Sequence, residues 1–341
     1  MNYLFPLLSL AFLAMSCSLK ENMTMEMELD LSPPCFIRME ESEGQAVYLF
    51  FNESLQLENE KTELDSGDDV LLTIKDENCL VLTPEVNLTP GRQYIVSLSV
   101  KDLRGNSNNF MIRFWGWNPA RPAALINEFN PQGSGNNTDT VELYFIQGGD
   151  TAGLTLYYGT KYHYEYRYFL PSLLVEEGDY LLIHCRPQSL EEEINESDRK
   201  DVSGGLLASD NAWDLWLPED SGLSGSNGIL SLYASPMGVI QDGVIYSDRE
   251  ADPEDELLGW TSRTFDAAAD LYEIGSWEFS SEDISPEEAV PSGYTTGTRT
   301  LSRSSSSEDT DSAADWHTTP TGGKTFGYEN TNDIYIPPNK D

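Results

Sequence analysis

Tyr94-Ile95-Val96-Ser97-Leu98-Ser99-Val100 is the stretch on which the fold of the first half of the chain turns. Tyr94, Val96, Leu98 and Val100 alternate with Ile95, Ser97 and Ser99. A period of two puts one face of a strand into a core and the other toward solvent. Outward from it, Val47-Tyr48-Leu49-Phe50-Phe51, Val70 to Ile74, Leu80 to Thr83 and Phe110 to Trp115 repeat the strand signal. Turn residues separate them: Asp65-Ser66-Gly67-Asp68, Thr89-Pro90-Gly91 and Arg104-Gly105-Asn106. Short strands at this spacing, with no helical period between them, predict a β-sandwich over residues 33–117. Trp115-Gly116-Trp117-Asn118-Pro119 with Arg121-Pro122 marks a short, stiff linker at 118–122, because a proline cannot continue a strand ladder.

The chain has 341 residues, the length of two domains of about 100–200 residues each. A hydrophobic share of 39% excludes a wholly disordered chain. The charge is lopsided: 58 Asp and Glu against 20 Lys and Arg, a net −38. Such a field repels phosphate backbones and anionic headgroups, so no nucleic-acid partner is expected. Three histidines leave little for a His-rich metal site or a His-driven catalytic machine. No metal and no cofactor is expected.

Leu4 to Met15 is an almost purely apolar run, too short for the roughly 20 residues of a membrane span but suited to the h-region of a signal peptide. Residues 1–16 are read as that leader. Ala14-Met15-Ser16-Cys17 resembles a bacterial lipobox. The resemblance implies cleavage before Cys17 and acylation of it, so that the membrane is reached through the lipid anchor alone. Residues 17–32 then form a tether or a first strand, since Met23, Met25, Met27, Leu29 and Leu31 alternate with Thr24, Glu26, Glu28 and Asp30. Export makes Cys35 and Cys79 candidates for a disulfide; the alternative is that Cys35, Cys79 and Cys185 are all free thiols.

Leu82-Thr83-Pro84, Leu88-Thr89-Pro90-Gly91-Arg92-Gln93-Tyr94 and Lys101-Asp102-Leu103-Arg104-Gly105-Asn106 resemble the bacterial Ig-like module of cell-surface proteins. The resemblance implies a spacer or presentation domain. In it Tyr94 is a corner residue, and Asp102, Gly105 and Asn106 hold the loop before the last strand.

Residues 123–335 resemble the lamin-tail domain, another Ig-like sandwich. Leu125-Ile126-Asn127-Glu128-Phe129 and Asp139-Thr140-Val141-Glu142-Leu143-Tyr144-Phe145 match its opening, with Glu128 and Glu142 at motif positions. Gly153 to Tyr158, Gly178 to Ile183, Gly228 to Tyr233 and Val239 to Tyr246 follow in the family's order. Thr300-Leu301-Ser302-Arg303, then Asp309 to Asp315, Trp316, Thr319-Pro320-Thr321-Gly322 and Asn330 match its ending. By composition Ser302 to Asp315 would be a disordered acidic linker. The resemblance instead implies an ordered segment, with Arg303, Asp309, Asp315, Trp316 and Asn330 as structural positions. Two acidic insertions, about 187–227 and 248–298, enlarge the domain, and 336–341 is a tail. Residues 119–341 hold 40 of the acids.

Asp248-Arg249-Glu250-Ala251-Asp252-Pro253 places acids at positions 1, 3 and 5 of an EF-hand spacing but Pro253 where glycine is required, so a solvated acidic face is expected. Tyr162, Tyr164, Tyr166 and Tyr168 would line one face of a strand, either in a core or as a ligand-binding face. His184 beside Cys185 reads as structural, and Trp213 and Trp216 as packing beneath the first insertion, the alternative being an exposed aromatic patch for a partner. No GxSxG, P-loop or HExxH is present. The fold class is therefore all-β, two tandem Ig-like sandwiches behind a lipoprotein signal peptide. The expected function is a non-catalytic lipoprotein of the cell envelope, periplasmic or surface-exposed on an outer membrane, that presents a binding surface to a protein or glycan. The alternative is an accessory subunit of an extracellular hydrolase or nuclease.

Overall fold

A computed structural model describes residues 30–42, 44–218, 221–248, 258–281 and 283–338. The leader, Cys17 and the alternation up to Leu29 lie outside them, as do all but the first position of the EF-hand-like spacing. The described chain is all-β apart from one helix and two short 3-10 turns.

The first sandwich has eight strands: β1 (Phe36–Glu41), β2 (Val47–Phe51), β3 (Leu55–Leu57), β4 (Lys61–Glu63), β5 (Asp69–Asp76), β6 (Cys79–Pro84), β7 (Gln93–Asp102) and β8 (Ser107–Trp115). One sheet runs β1-β2-β6-β5-β4 and the other β3-β7-β8. The alternation in β7 buries Tyr94, Val96, Leu98 and Val100 against Leu49, Phe51, Leu80, Leu82 and Phe114. The Tyr94 hydroxyl accepts the Thr89 N–H at 2.9 Å, which fixes the Thr89-Pro90-Gly91 corner. Asp102 Oδ1 accepts the Arg104 and Asn106 N–H groups, each at 2.8 Å, and Gly105 sits between them at φ +94°. A carboxylate closing the loop onto its own backbone is the usual device of a tight Asx turn. The edge strands β1 and β4 are largely exposed, and β3 is only three residues long, so none of them carries the apolar alternation that betrayed the others.

The Cys35–Cys79 pairing is corrected. Both thiols are free, as is Cys185. Cys35 exchanges hydrogen bonds with Asn52, just beyond one side of β2, while Cys79 is paired with Phe50 on its other side. Two strand spacings of about 4.8 Å each exceed the reach of a disulfide.

The second domain comprises β9 (Ala123–Asn130), β10 (Thr140–Gln147), β11 (Gly149–Asp150), β12 (Thr155–Gly159), β13 (Tyr164–Phe169), β14 (Leu174–Val175), β15 (Tyr180–His184), β16 (Ala212–Trp216), β17 (Asn227–Tyr233), β18 (Ile240–Ser247), α1 (Ser262–Glu273), β19 (Val290–Pro291), β20 (Leu301–Arg303) and β21 (Trp316–Thr318). A sheet ordered β16-β15-β10-β9-β20-β21 faces one ordered β13-β12-β17-β18-β19, and β11-β14 forms a small clip. Ile126, Phe129, Val141, Leu143, Leu181 and Ile183 fill the space between the sheets with Leu230, Leu232, Val244 and Tyr246.

Neither insertion is merely a solvated acidic loop. The first supplies β16, which pairs in parallel with β15 and buries Trp213 and Leu215 in the core. Its Glu196 is buried too, because its carboxylate accepts the N–H groups of Val202, Ser203 and Asp214. The second supplies α1, capped by Thr261 through the Thr264 N–H at 3.2 Å, and sends Trp260, Ala267, Ala268, Leu271 and Trp277 into the core. Apolar residues spaced between the acids outweigh the composition of the segment.

The 118–122 linker is pinned rather than merely stiff. Asn118 Nδ2 donates to the Asp150 carbonyl at 2.7 Å and the Ala152 carbonyl at 3.0 Å. Gly91 of the first domain abuts Gly153 of the second so closely that a Cβ on Gly91 would lie 2.5 Å from the Gly153 nitrogen. Trp115 packs on Phe169 at 5.8 Å across the same junction.

Candidate functional site

The residues singled out by the lamin-tail resemblance converge. Glu128 and Glu142 stand directly opposite one another on β9 and β10, on the sheet face turned away from the core, and both are fully buried. The segment from Thr319 to Asn330 covers them. Glu128 accepts the Thr325 N–H and hydroxyl and the Thr300 hydroxyl, the last at 2.5 Å. Glu142 accepts Asn127 Nδ2 at 2.9 Å and the Gly327 N–H at 2.6 Å. Asn330 Nδ2 donates to the carbonyls of Asn127 and Arg303. Burial pushes both glutamates above the ordinary carboxylate range, Glu142 well above it with the Glu128 charge adding to the effect.

Arg303, 1% exposed, extends this network. Its Nε donates to the Ile126 carbonyl at 2.9 Å, Nη2 meets Asp242 at 3.0 Å, and Nη1 lies 3.1 Å from Asp309 and 3.4 Å from Asp315. Its guanidinium sits 4.7 Å over the ring of Trp316, which packs edge-on against Phe129. Asp315 closes the turn before β21 by accepting the Thr310 N–H at 2.8 Å. Sequence reasoning missed Asn127, Asp242, Thr300 and Thr325 as partners, although Asn127 stood in the quoted opening beside Glu128. These carboxylates are shut off from solvent and spend their lone pairs on backbone and side-chain donors. Chemically the arrangement is a clasp for the C-terminal segment.

The histidines divide likewise. His184 Nε2 lies 2.6 Å from Asp214 Oδ1, stacked on Trp216 at 3.8 Å, and the His–Asp pair is wholly buried. Trp216 is therefore packing and not an exposed patch. His163 Nδ1 reaches Asp270 Oδ2 at 2.8 Å, and Thr160 donates to the same oxygen. They flank a cleft of about 320 Å³ at the start of α1, lined by Glu165, Asn227 and Arg263. Of the tyrosine row, Tyr166 and Tyr168 pack on the core, whereas Tyr162 is 60% exposed.

Among the described residues one acidic trio, Asp30, Glu53 and Asp102, brings carboxylate oxygens within 4.8 Å of one another. Burial, then the charges of Asp102 and Asp30, raises Glu53. A calcium ion takes six to eight oxygens, and Asp102 already serves its loop, so the trio falls short of a built cation site. Asp248 is the one described position of the EF-hand-like spacing.

The large solvent-open feature lies between the domains. β1 and β8 are the outer strands of the two sheets of the first sandwich. With loops of the second domain at 161–162 and 237–239 they bound a groove of about 1100 Å³. Ile37, Met111, Tyr162 and Val239 stand in it 56, 69, 60 and 72% exposed. Arg38, Arg113, Arg121 and Lys161 line it against two acids, Glu40 and Glu41, a local positive excess on a chain of net −38. Glu41 ties the floor together: it pairs with Arg121 at 3.1 Å and accepts the Ser235 hydroxyl at 2.6 Å. Lys161 Nζ donates to the Gly238 carbonyl at 2.9 Å, and burial lowers its pKa. No sequence motif signals this groove, because residues from four distant stretches build it.

A crystal structure of the N-terminal part of the bacterial S-layer protein SbsC aligns over 63% of this chain and 43% of its own, at 12% identity and a TM-score of 0.24. Dimeric latent PorU from Porphyromonas gingivalis aligns over 66% of this chain and 19% of its own, at 12% identity and a TM-score of 0.20. An uncharacterized protein of Treponema pallidum (strain Nichols) is 26% identical over 190 residues, 55% of this chain and 48% of the relative. The chain thus spans about half the length of that curated relative. Residues 122–318, from the end of the linker through β21, match the family model TP_1001_2nd, described as a "protein second domain", and by that match over more than half its length the chain belongs to this family.

Proposed function

We propose that the protein is a non-catalytic, exported lipoprotein of the cell envelope, anchored through Cys17, whose interdomain groove binds a protein or glycan partner. The observation that carries the reading is the groove itself. Exposed apolar side chains concentrated in one concave surface, with cations around them, mark an interaction site. The pinned junction at Asn118, Gly91 and Gly153 supports it, since the two walls of the groove belong to different domains and need a fixed geometry. The buried clusters around Glu142 and His184 support a structural role for the acids of the second domain. No helix among the described residues is long and apolar enough to cross a membrane.

Two measurements test the reading. Acyl labelling in cells is expected to vanish in Cys17→Ala, and persistent labelling would end the anchor. A photo-crosslinking residue at Val239 in the groove is expected to trap a partner on intact cells, whereas one at Tyr328, exposed on the second domain, is not. Equal capture from both positions would remove the groove from the account.

A further inference from the structure

The two strand edges that bound the groove differ in what they leave open. The Gly116 N–H donates to the Arg92 carbonyl at 2.9 Å and the Asp102 N–H to the Asn106 carbonyl at 3.0 Å, just beyond the two ends of the β7–β8 ladder. An antiparallel ladder bonds every second residue pair, so these two bonds fix its phase. Asn108, Phe110, Ile112 and Phe114 turn their N–H and C=O groups toward β7, while Asn109, Met111 and Arg113 turn theirs outward. The Asn109 N–H is held by Asn108 Oδ1 at 2.9 Å. Met111 and Arg113 remain, and among the described residues no strand pairs with that side of β8. The β7–β8 register runs from Gln93–Trp115 to Lys101–Ser107 without a shift, and β8 contains neither proline nor glycine. β1 is less receptive: its ladder with β2 shifts register between Phe36 and Arg38, and a bulge twists an edge away from an incoming strand.

We propose that the partner enters the groove as an extended peptide segment, apolar and acidic side chains alternating along it, that pairs with the outer edge of β8 at Met111 and Arg113. The proposal rests on the reading of the groove as a binding surface and adds the chemistry of what binds there, a protein strand and not a glycan. Open N–H and C=O groups in a row are matched by another backbone, and neighbouring side chains then select its sequence. Ile37, Met111 and Val239 stand exposed in the groove and take the apolar side chains. Charge selects the rest. Arg38 is already paired with Glu40 at 2.8 Å and Arg121 with Glu41 at 3.1 Å. Arg113 forms no ion pair among the described residues. Lys161 Nζ donates to the carbonyls of Met237 and Gly238, at 3.4 and 2.9 Å, and not to a carboxylate. Two cations without a bound carboxylate, in one groove of a chain of net −38, match acids on the incoming strand.

The test uses the purified full chain with Cys17→Ala and a seven-residue synthetic peptide of alternating valine and glutamate, about 23 Å long when extended. At ten times its half-saturating concentration the Met111 and Arg113 amides are expected to exchange about tenfold more slowly, with the β2–β6 ladder unchanged. The fully N-methylated peptide should give no protection, and the peptide with lysine for glutamate should bind at least severalfold more weakly. Met111→Pro removes only an outward N–H, which an edge strand tolerates, and should abolish the protection at Arg113. Arg113→Glu, a second variant that keeps the backbone, should narrow the preference for glutamate over lysine. No protection by the glutamate peptide, or equal protection by its N-methylated form, overturns the proposal. Protection by chitohexaose in its place gives the groove to a glycan, and a dimer in sedimentation that Met111→Pro abolishes gives the edge to a second copy; either overturns it. Crosslinking from Val239 on cells separates this proposal from the reading beneath it. Capture lost in Met111→Pro supports strand addition, and capture undiminished there overturns strand addition while leaving the groove as the binding surface.

Discussion

The two sandwiches solve the same packing problem with opposite chemistry. The first closes around an apolar core, Leu49, Phe51, Leu80, Val96 and Phe114, and keeps its carboxylates at loops and edges. The second packs an apolar core between its sheets, buries Glu128, Glu142 and Asp214 behind one of them, and bridges the two sheets with the buried Arg303–Asp242 pair. The difference follows from the connections. The first domain joins its strands by short turns, which satisfy themselves. The second must hold a long insertion and a C-terminal segment against the outer face of a sheet. Their backbone N–H groups need acceptors that no neighbouring strand provides. A buried carboxylate accepting them answers that need: Glu128 takes the Thr325 N–H, Glu142 that of Gly327, and Glu196 those of Val202, Ser203 and Asp214. The acid excess of the second domain is thus partly interior, and composition alone placed it outside.

The comparison breaks most readily at Arg303. Arg303→Met strands Asp242 as an unpaired buried charge, and a loss of about 3–5 kcal/mol is expected in urea unfolding. A loss below about 1 kcal/mol would mean that the clasp does not hold the domain. Next comes Gly91→Ala, which meets the Gly153 backbone and sits at φ +68°. Domain separation in small-angle scattering should follow, with about 1–3 kcal/mol of lost stability. If the scattering profile is unchanged, the junction is not what fixes the two walls.

A third prediction concerns pH. Burial raises Glu142 in the folded state, so the folded protein holds a proton that the unfolded chain has released. The stability tied to this group is complete at and below the ordinary carboxylate range near 4.5 and declines as pH rises toward the elevated folded value. Glu142→Gln should flatten that decline in a Tm-against-pH series, and an unchanged slope would assign it elsewhere. The mildest prediction lies in the first sandwich: Tyr94→Phe removes the bond from the Thr89 N–H and should cost about 1 kcal/mol in chemical denaturation.

The strands of the first sandwich were legible where both faces differ, as in β2, β5, β6, β7 and β8. β1 and β4 were not, since a largely exposed edge strand has no buried stripe to read. α1 escaped because its segment was judged by its acids, although the Ala267, Ala268 and Leu271 stripe and the Thr261 cap stand in the sequence. The positions of Glu128, Glu142, Arg303 and Asn330 came from a family pattern, but their partners did not. Asn127 and Asn330 are 203 positions apart, and no local rule joins them. The groove was illegible for the same reason, since the strand edges that bound it and the loops that close it never meet in sequence.

The central claim is that a buried polar clasp holds the second domain together while contact with a partner belongs to the groove. Crosslinking from Val239 on intact cells in an Arg113→Glu background tests it most directly, with Tm recorded alongside. Arg113 is exposed and lies outside the clasp, so its replacement should leave stability within about 0.5 kcal/mol. The account predicts partner capture reduced at least severalfold at an unchanged Tm. Full capture in that variant would contradict it.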